Sequence, residues 1–165
     1  MDTNPVLEQI AGEILDALAE ITVANGYQND VGTILRPTRV GLTDGAALKS
    51  VGHLSVMLDQ DSVSRVLSVE GNGSAVEWIA NWNLFGFILP ADNDATPIDT
   101  LANRFVGDIE KAVMQDPQRH DLAINTEVLG NVPFVFEDGQ FGGRVLRIAV
   151  TFRTLESDPF VSRSA

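Results

Sequence analysis

The chain has 165 residues, 44% of them hydrophobic, with 23 acidic against 11 basic side chains, a formal charge of −12 and no cysteine. That length fits one domain spanning residues 1–165 with a core of its own. Disulfide frameworks, thiolate zinc sites and cysteine nucleophiles are excluded, and the acidic balance argues against sequence-specific nucleic-acid binding, which depends on Lys and Arg meeting phosphate.

Asn4 and Pro5 read as an N-cap and first helical position. Leu7, Ile10, Ile14, Leu18 and Ile21 recur at helical spacing, and Asn25-Gly26 supplies a left-handed stop, so the spacing predicts a helix over 5–24. Glu13, Asp16 and Glu20 line another face of it. From Val31 the period becomes two, and Pro37 ends a first strand. Residues 37–52 hold Gly41, Gly45 and Gly52 and no sustained period, which predicts a long loop.

Strands are expected over 53–58 and 63–69, joined by a turn at Asp59-Gln60-Asp61-Ser62. The longest strand signal is 75–89, with Val76, Trp78, Ala80, Trp82 and Leu84 on one face and a bulge or bend expected at Gly86. Ile98, Leu101, Ala102, Phe105, Ile109, Ala112 and Val113 predict a second helix, closed by Asp116-Pro117. Two strands follow, over 121–129 and 132–136, then a last one over 144–154 with Leu146, Ile148, Val150 and Phe152 facing the core. Residues 155–165 read as an irregular tail. The order predicts an α+β domain, a mixed or antiparallel sheet with two helices packed on one face.

The chemistry-bearing residues are scattered. His53 and His120 stand alone, without metal-ligand spacing, and read as exposed histidines at strand ends. Gly71-Asn72-Gly73 and the Gly139–Gly143 stretch fall between strands, where they make turns rather than phosphate cradles. Asp92, Asp94, Glu137 and Asp138 read as solvated loop charge. No Gly-x-Ser-x-Gly elbow or Ser-x-x-Lys pair occurs, so no catalytic, cofactor or metal residue is assigned, and the chain is not expected to be an enzyme. No apolar stretch approaches the ~20 residues that span a bilayer, and no basic leader precedes Arg36, so a soluble protein without a membrane partner is expected.

Charge is segregated along the chain. Residues 1–35 carry six acidic groups and no basic one. Arg36, Arg39 and Lys49 outnumber Asp44 in the next stretch, and four arginines outnumber Glu156 and Asp158 after residue 143. Such a map suits head-to-tail docking of a basic loop and tail on an acidic face of the next copy, a contact that closes into rings. The residues expected at that surface are Glu13, Asp16, Glu20, Arg36, Arg39, Lys49, Arg147, Arg153, Phe160 and Trp82; Trp78 and Trp82 read first as core and second as an interface patch, with Trp82 the more exposed of the two.

The layout resembles the tail terminator (tail completion) proteins of long-tailed bacteriophages. The resemblance runs through the N-terminal helix into Asn25-Gly26-Tyr27, the strand ending at Arg36-Pro37, and the tryptophan-bearing strand at Trp78. It continues with the helix 98–115 closing at Asp116-Pro117, the strand 145–153 and the tail with Asp158-Pro159. It implies a hexameric ring, without cofactor, that caps the tail tube in the virion, ends tail elongation and meets the head connector. The protein would be assembled in the host cytoplasm, with DNA passing through the lumen. A neck or head-completion protein is the alternative of the same class. A small enzyme or ligand-binding domain is the alternative of another.

Overall fold

The computed structural model describes residues 4–36, 54–69, 74–89, 95–135 and 142–164. The first apolar stripe folds as α1, Val6–Ala19, burying Val6, Ile10, Ala11, Ile14 and Leu18. The helix stops five residues short of the expected 24. Thr22 turns extended, and its hydroxyl caps a short 3-10 helix, Val23–Asn25, by accepting the Asn25 N–H at 3.3 Å. Gly26, at φ +82°, ends that turn rather than α1.

The strands are β1 (Thr33–Leu35), β2 (Leu54–Val69), β3 (Ala75–Ile88), β4 (Asn125–Val135), β5 (Gly142–Leu155) and β6 (Asp158–Ser162), with α2 (Ile98–Met114) between β3 and β4. They form one mixed sheet in the order β1-β2-β3-β5-β4, with β6 also pairing β5. The β1–β2 pair is parallel and the others are antiparallel. Both helices lie on one face, so the domain is α+β as expected. Its core joins Ile10, Ile14 and Leu18 of α1 and Phe105 and Ile109 of α2 to Leu58, Trp82, Leu84, Leu146 and Ile148 of the sheet.

Several expectations about the strands are corrected. Asp59–Ser62 is not a turn: β2 runs through it, pairing Asp59 with Asn83 and Gln60 with Trp82, and absorbs the mismatch as a bulge before Ser62. Gly86 makes no bulge. It pairs in unbroken register with Val56 and Arg144, and a Cβ there would lie 2.9 Å from Ile109 Cδ1 and 3.2 Å from the Phe105 ring, so its bareness admits α2. The two strands expected over 121–136 are one strand, β4, with an extra residue at Leu129 and Gly130 at φ +130°. The tail is not irregular throughout. β4 pairs β5 only as far as Thr151, and β6 folds back to cover the end that β4 leaves open.

Gly142 and Gly143, read as part of a turn between strands, are buried inside β5. A methyl on Gly143 would overlap the Gly86 carbonyl oxygen, so the neighbouring strand backbone requires glycine there.

Candidate assembly surface

The sheet face turned away from the helices changes character along the strands. At one end Phe85, Phe87 and Phe134 form an aromatic cluster, with ring centroids 5.2–6.2 Å apart, packed with Met57, Leu35 and Leu89. The Phe85–Phe87 pair is stacked and Phe134 meets both edge-on, geometries that aromatic quadrupoles favour. The middle is polar. Arg147 is exposed there, paired in register with Asn83 and with Gly130. At the far end Arg153 donates to Glu77, its Nη2 2.7 Å from Oε2.

The ten residues expected at an assembly surface do not converge. Arg36 forks onto Glu8 of its own α1, with Nη2 2.9 Å from Oε2 and Nη1 in contact with Oε1. Arg153 is spent on Glu77 in the same way. Arg147 makes no ion pair among the described residues and points from the open face. Glu13, Asp16 and Glu20 lie along α1 and its end, the last two exposed; Glu13 contacts His120, and Glu20 accepts from Asn25 Nδ2 at 2.9 Å. Phe160 is 45% exposed on β6. Arg39 and Lys49 lie outside the described residues, as do His53, Asp92, Asp94, Glu137 and Asp138.

Trp82 is a correction. It is 1% exposed, beneath the helices, and its indole N–H has no acceptor among the described residues. A side chain buried to that degree is a core element, worth on the order of 3–5 kcal/mol against alanine, and cannot meet a partner. Trp78 is the half-buried one, its Nε1–H donating to Thr154 Oγ1 at 3.1 Å. The reason is position: Trp82 sits mid-strand under the core, and Trp78 lies four residues nearer the start of β3.

Two clusters escaped the sequence. The aromatic cluster was half visible, because Phe85 and Phe87 stand at i, i+2 on the face opposite Trp82. The other is built on the connection from α2 to β4. There Arg119 is buried at 1% exposure with Nη2 donating to the Val113 carbonyl at 2.6 Å, and burial pulls its pKa down while Asp116 and Glu13 pull it back. His120 is not at a strand end but in that connection, its Nδ1 2.6 Å from Glu13 Oε2. Among the described residues no group of three or more His, Cys, Asp or Glu could hold a metal ion. No helix is long and apolar enough to cross a membrane among them.

No protein-family model matches the chain, and no curated protein matches it significantly.

Proposed function

We propose that this protein is a structural component of a long-tailed bacteriophage. Copies associate head-to-tail into a ring, of six in the resembling proteins, that caps the tail tube, ends its growth and meets the head connector. The observation that carries the reading is the order helix, strand, long hairpin, helix, strands, with both helices on one face and the opposite face left to Arg147 and the aromatic cluster. That order is the one on which the resemblance rests, and a two-sided domain of this kind offers different surfaces to successive neighbours, as a heterologous ring requires. The partners are other copies of the chain, the tail tube protein and the connector, at the head-proximal end of the virion tail. DNA passing through the lumen would make no sequence-specific contact.

Sedimentation velocity of the purified protein at micromolar concentration, with electron microscopy of tail tubes incubated with it, tests the proposal. The expected result is a ring in equilibrium with monomer and density capping one end of the tube. Monomer alone at high concentration, with and without tubes, overturns it.

A further inference from the structure

The connection from α2 to β4 takes a backbone conformation that side chains rarely permit. Arg119, His120 and Asp121 are three consecutive non-glycine residues at φ +52°, +50° and +66°. Left-handed residues normally occur singly, and a run of them persists only where its surroundings over-determine it.

Three side chains supply that constraint. The Asp116 carboxylate accepts the Gln118 N–H at 3.1 Å and the His120 N–H at 2.7 Å. Arg119 runs inward to the Val113 carbonyl. His120, 77% exposed, reaches across to α1, its Nδ1 2.6 Å from Glu13 Oε2 and 3.5 Å from Asp116 Oδ2. On the other side of the turn the Asp121 carbonyl accepts from the Ser162 hydroxyl of β6 at 3.4 Å, and β6 itself packs against α1.

We propose that residues 116–122 form a proton-controlled clasp between α1 and the C-terminal strand β6, closed while His120 carries its proton and Asp116 is ionised. The groups that face the imidazole are Glu13 from α1 and Asp116 and Asp121 from the turn; Arg119, buried beside them, feels the charges of Asp116 and Glu13. From β6 the turn meets a hydroxyl, which does not titrate in this range. The hydrogen bond to Glu13, then the charges of Glu13 and Asp116, raise the His120 pKa above its ordinary value. Burial pushes the Asp116 carboxyl up, but the N–H groups of His120 and Gln118 and the charges of His120 and Arg119 outweigh it and hold it low.

The signs define a window. The contribution of His120 is complete below about 6.5, its unfolded pKa, and is lost as pH rises through the raised folded value. The contribution of Asp116 is present above about 3.9 and is lost as pH falls through its lowered value. Between the two the clasp is shut. Above the window Asp116 and Arg119 alone oppose the cost of three left-handed residues, and the turn opens locally more often.

Amide hydrogen exchange on the full chain, corrected for intrinsic rates, tests this between pH 5.5 and 8.5, with the His120 ring protons followed by NMR. Protection of the His120, Leu122, Ala123 and Arg163 amides should fall several-fold as His120 titrates, while amides at the centre of β3 and β5 hold theirs. His120→Asn, which keeps a residue tolerant of left-handed backbone, should remove the pH dependence. Glu13→Gln should lower the His120 midpoint. Flat protection in the wild type, a pH dependence that survives His120→Asn, or a midpoint unmoved by Glu13→Gln each overturns the clasp.

Discussion

Glu8 and Arg36 are 28 residues apart and meet as a forked ion pair, tying the first turn of α1 to the chain just past β1. The hydrogen bond from Arg36 is the larger cause of the lowered Glu8 pKa, opposed by burial and helped by the Arg36 charge. Both side chains keep more than a third of their surface in water, at 36% and 44% exposure, so the pair contributes at most about 0.2–1 kcal/mol after screening. Because the folded pKa lies below the unfolded one, that contribution exists above about 4.3 and fades as pH falls through the lowered value. Glu8→Gln should therefore lower stability slightly at pH 7 and not at all near pH 2. Urea unfolding of both proteins at the two pH values checks it, and an equal loss at both would mean that packing, not charge, is at stake. No reading of sequence spacing could pair these two residues, because the fold brings them together and composition does not.

At the scale of the element, legibility followed the burial of one face at a time. Leu146, Ile148, Val150 and Phe152 alternate in the sequence and all four are buried, because β5 is paired along both edges and α2 packs on its inner face. The stripe of α2 was plain from Ala102 to Val113, while Ile98 at its start is exposed. What the sequence concealed was continuity across polar residues. Asp59–Ser62 looks like a turn because such residues usually make turns, but here they occupy a strand, and their side chains stay partly or fully in water. Glycine misled for the same reason. Gly86 signalled a bend and Gly143 a turn, and both are close-packing positions inside strands, one under α2 and one against a neighbouring backbone. The distinction predicts an order of severity. Gly86→Ala presses on Ile109 and Phe105, side chains that can yield by repacking, at a cost of about 1–3 kcal/mol. Gly143→Ala meets a carbonyl oxygen of the adjoining strand and should cost more, because β3 and β5 must move apart. Urea midpoints of the two variants decide it; equal or reversed losses would show that the helix contact, not the backbone contact, is the tighter one.

The whole molecule is acidic, at a formal charge of −12, and like charges on neighbouring copies must be kept apart or matched if the chain assembles. Of the basic residues expected to do the matching, Arg36 is engaged on Glu8 and Arg153 on Glu77 within the chain, and Arg65 on Glu156 and Lys111 on the Gly26 carbonyl are engaged likewise. Arg147 differs. It stands exposed in the middle of the face that neither helix covers, between the aromatic cluster and the Glu77–Arg153 pair, and no described acidic group pairs with it. On the opposite side, Asp16 of α1 and Glu20 just beyond it are exposed. A head-to-tail contact that places Arg147 near such carboxylates would be strengthened by dilution of salt and weakened by its addition, since the screening length falls from about 10 Å at 0.1 M to about 3 Å at 1 M. Arg147→Glu should leave the urea midpoint within the roughly 0.5 kcal/mol typical of surface changes, because its backbone pairing with Asn83 and Gly130 does not depend on the side chain. The same substitution should shift sedimenting material from ring to monomer, and higher salt should narrow the difference between variant and wild type. If the variant associates as the wild type does, the ring is held by other surfaces, and Arg147 is a solvated charge on a face whose partner is something else.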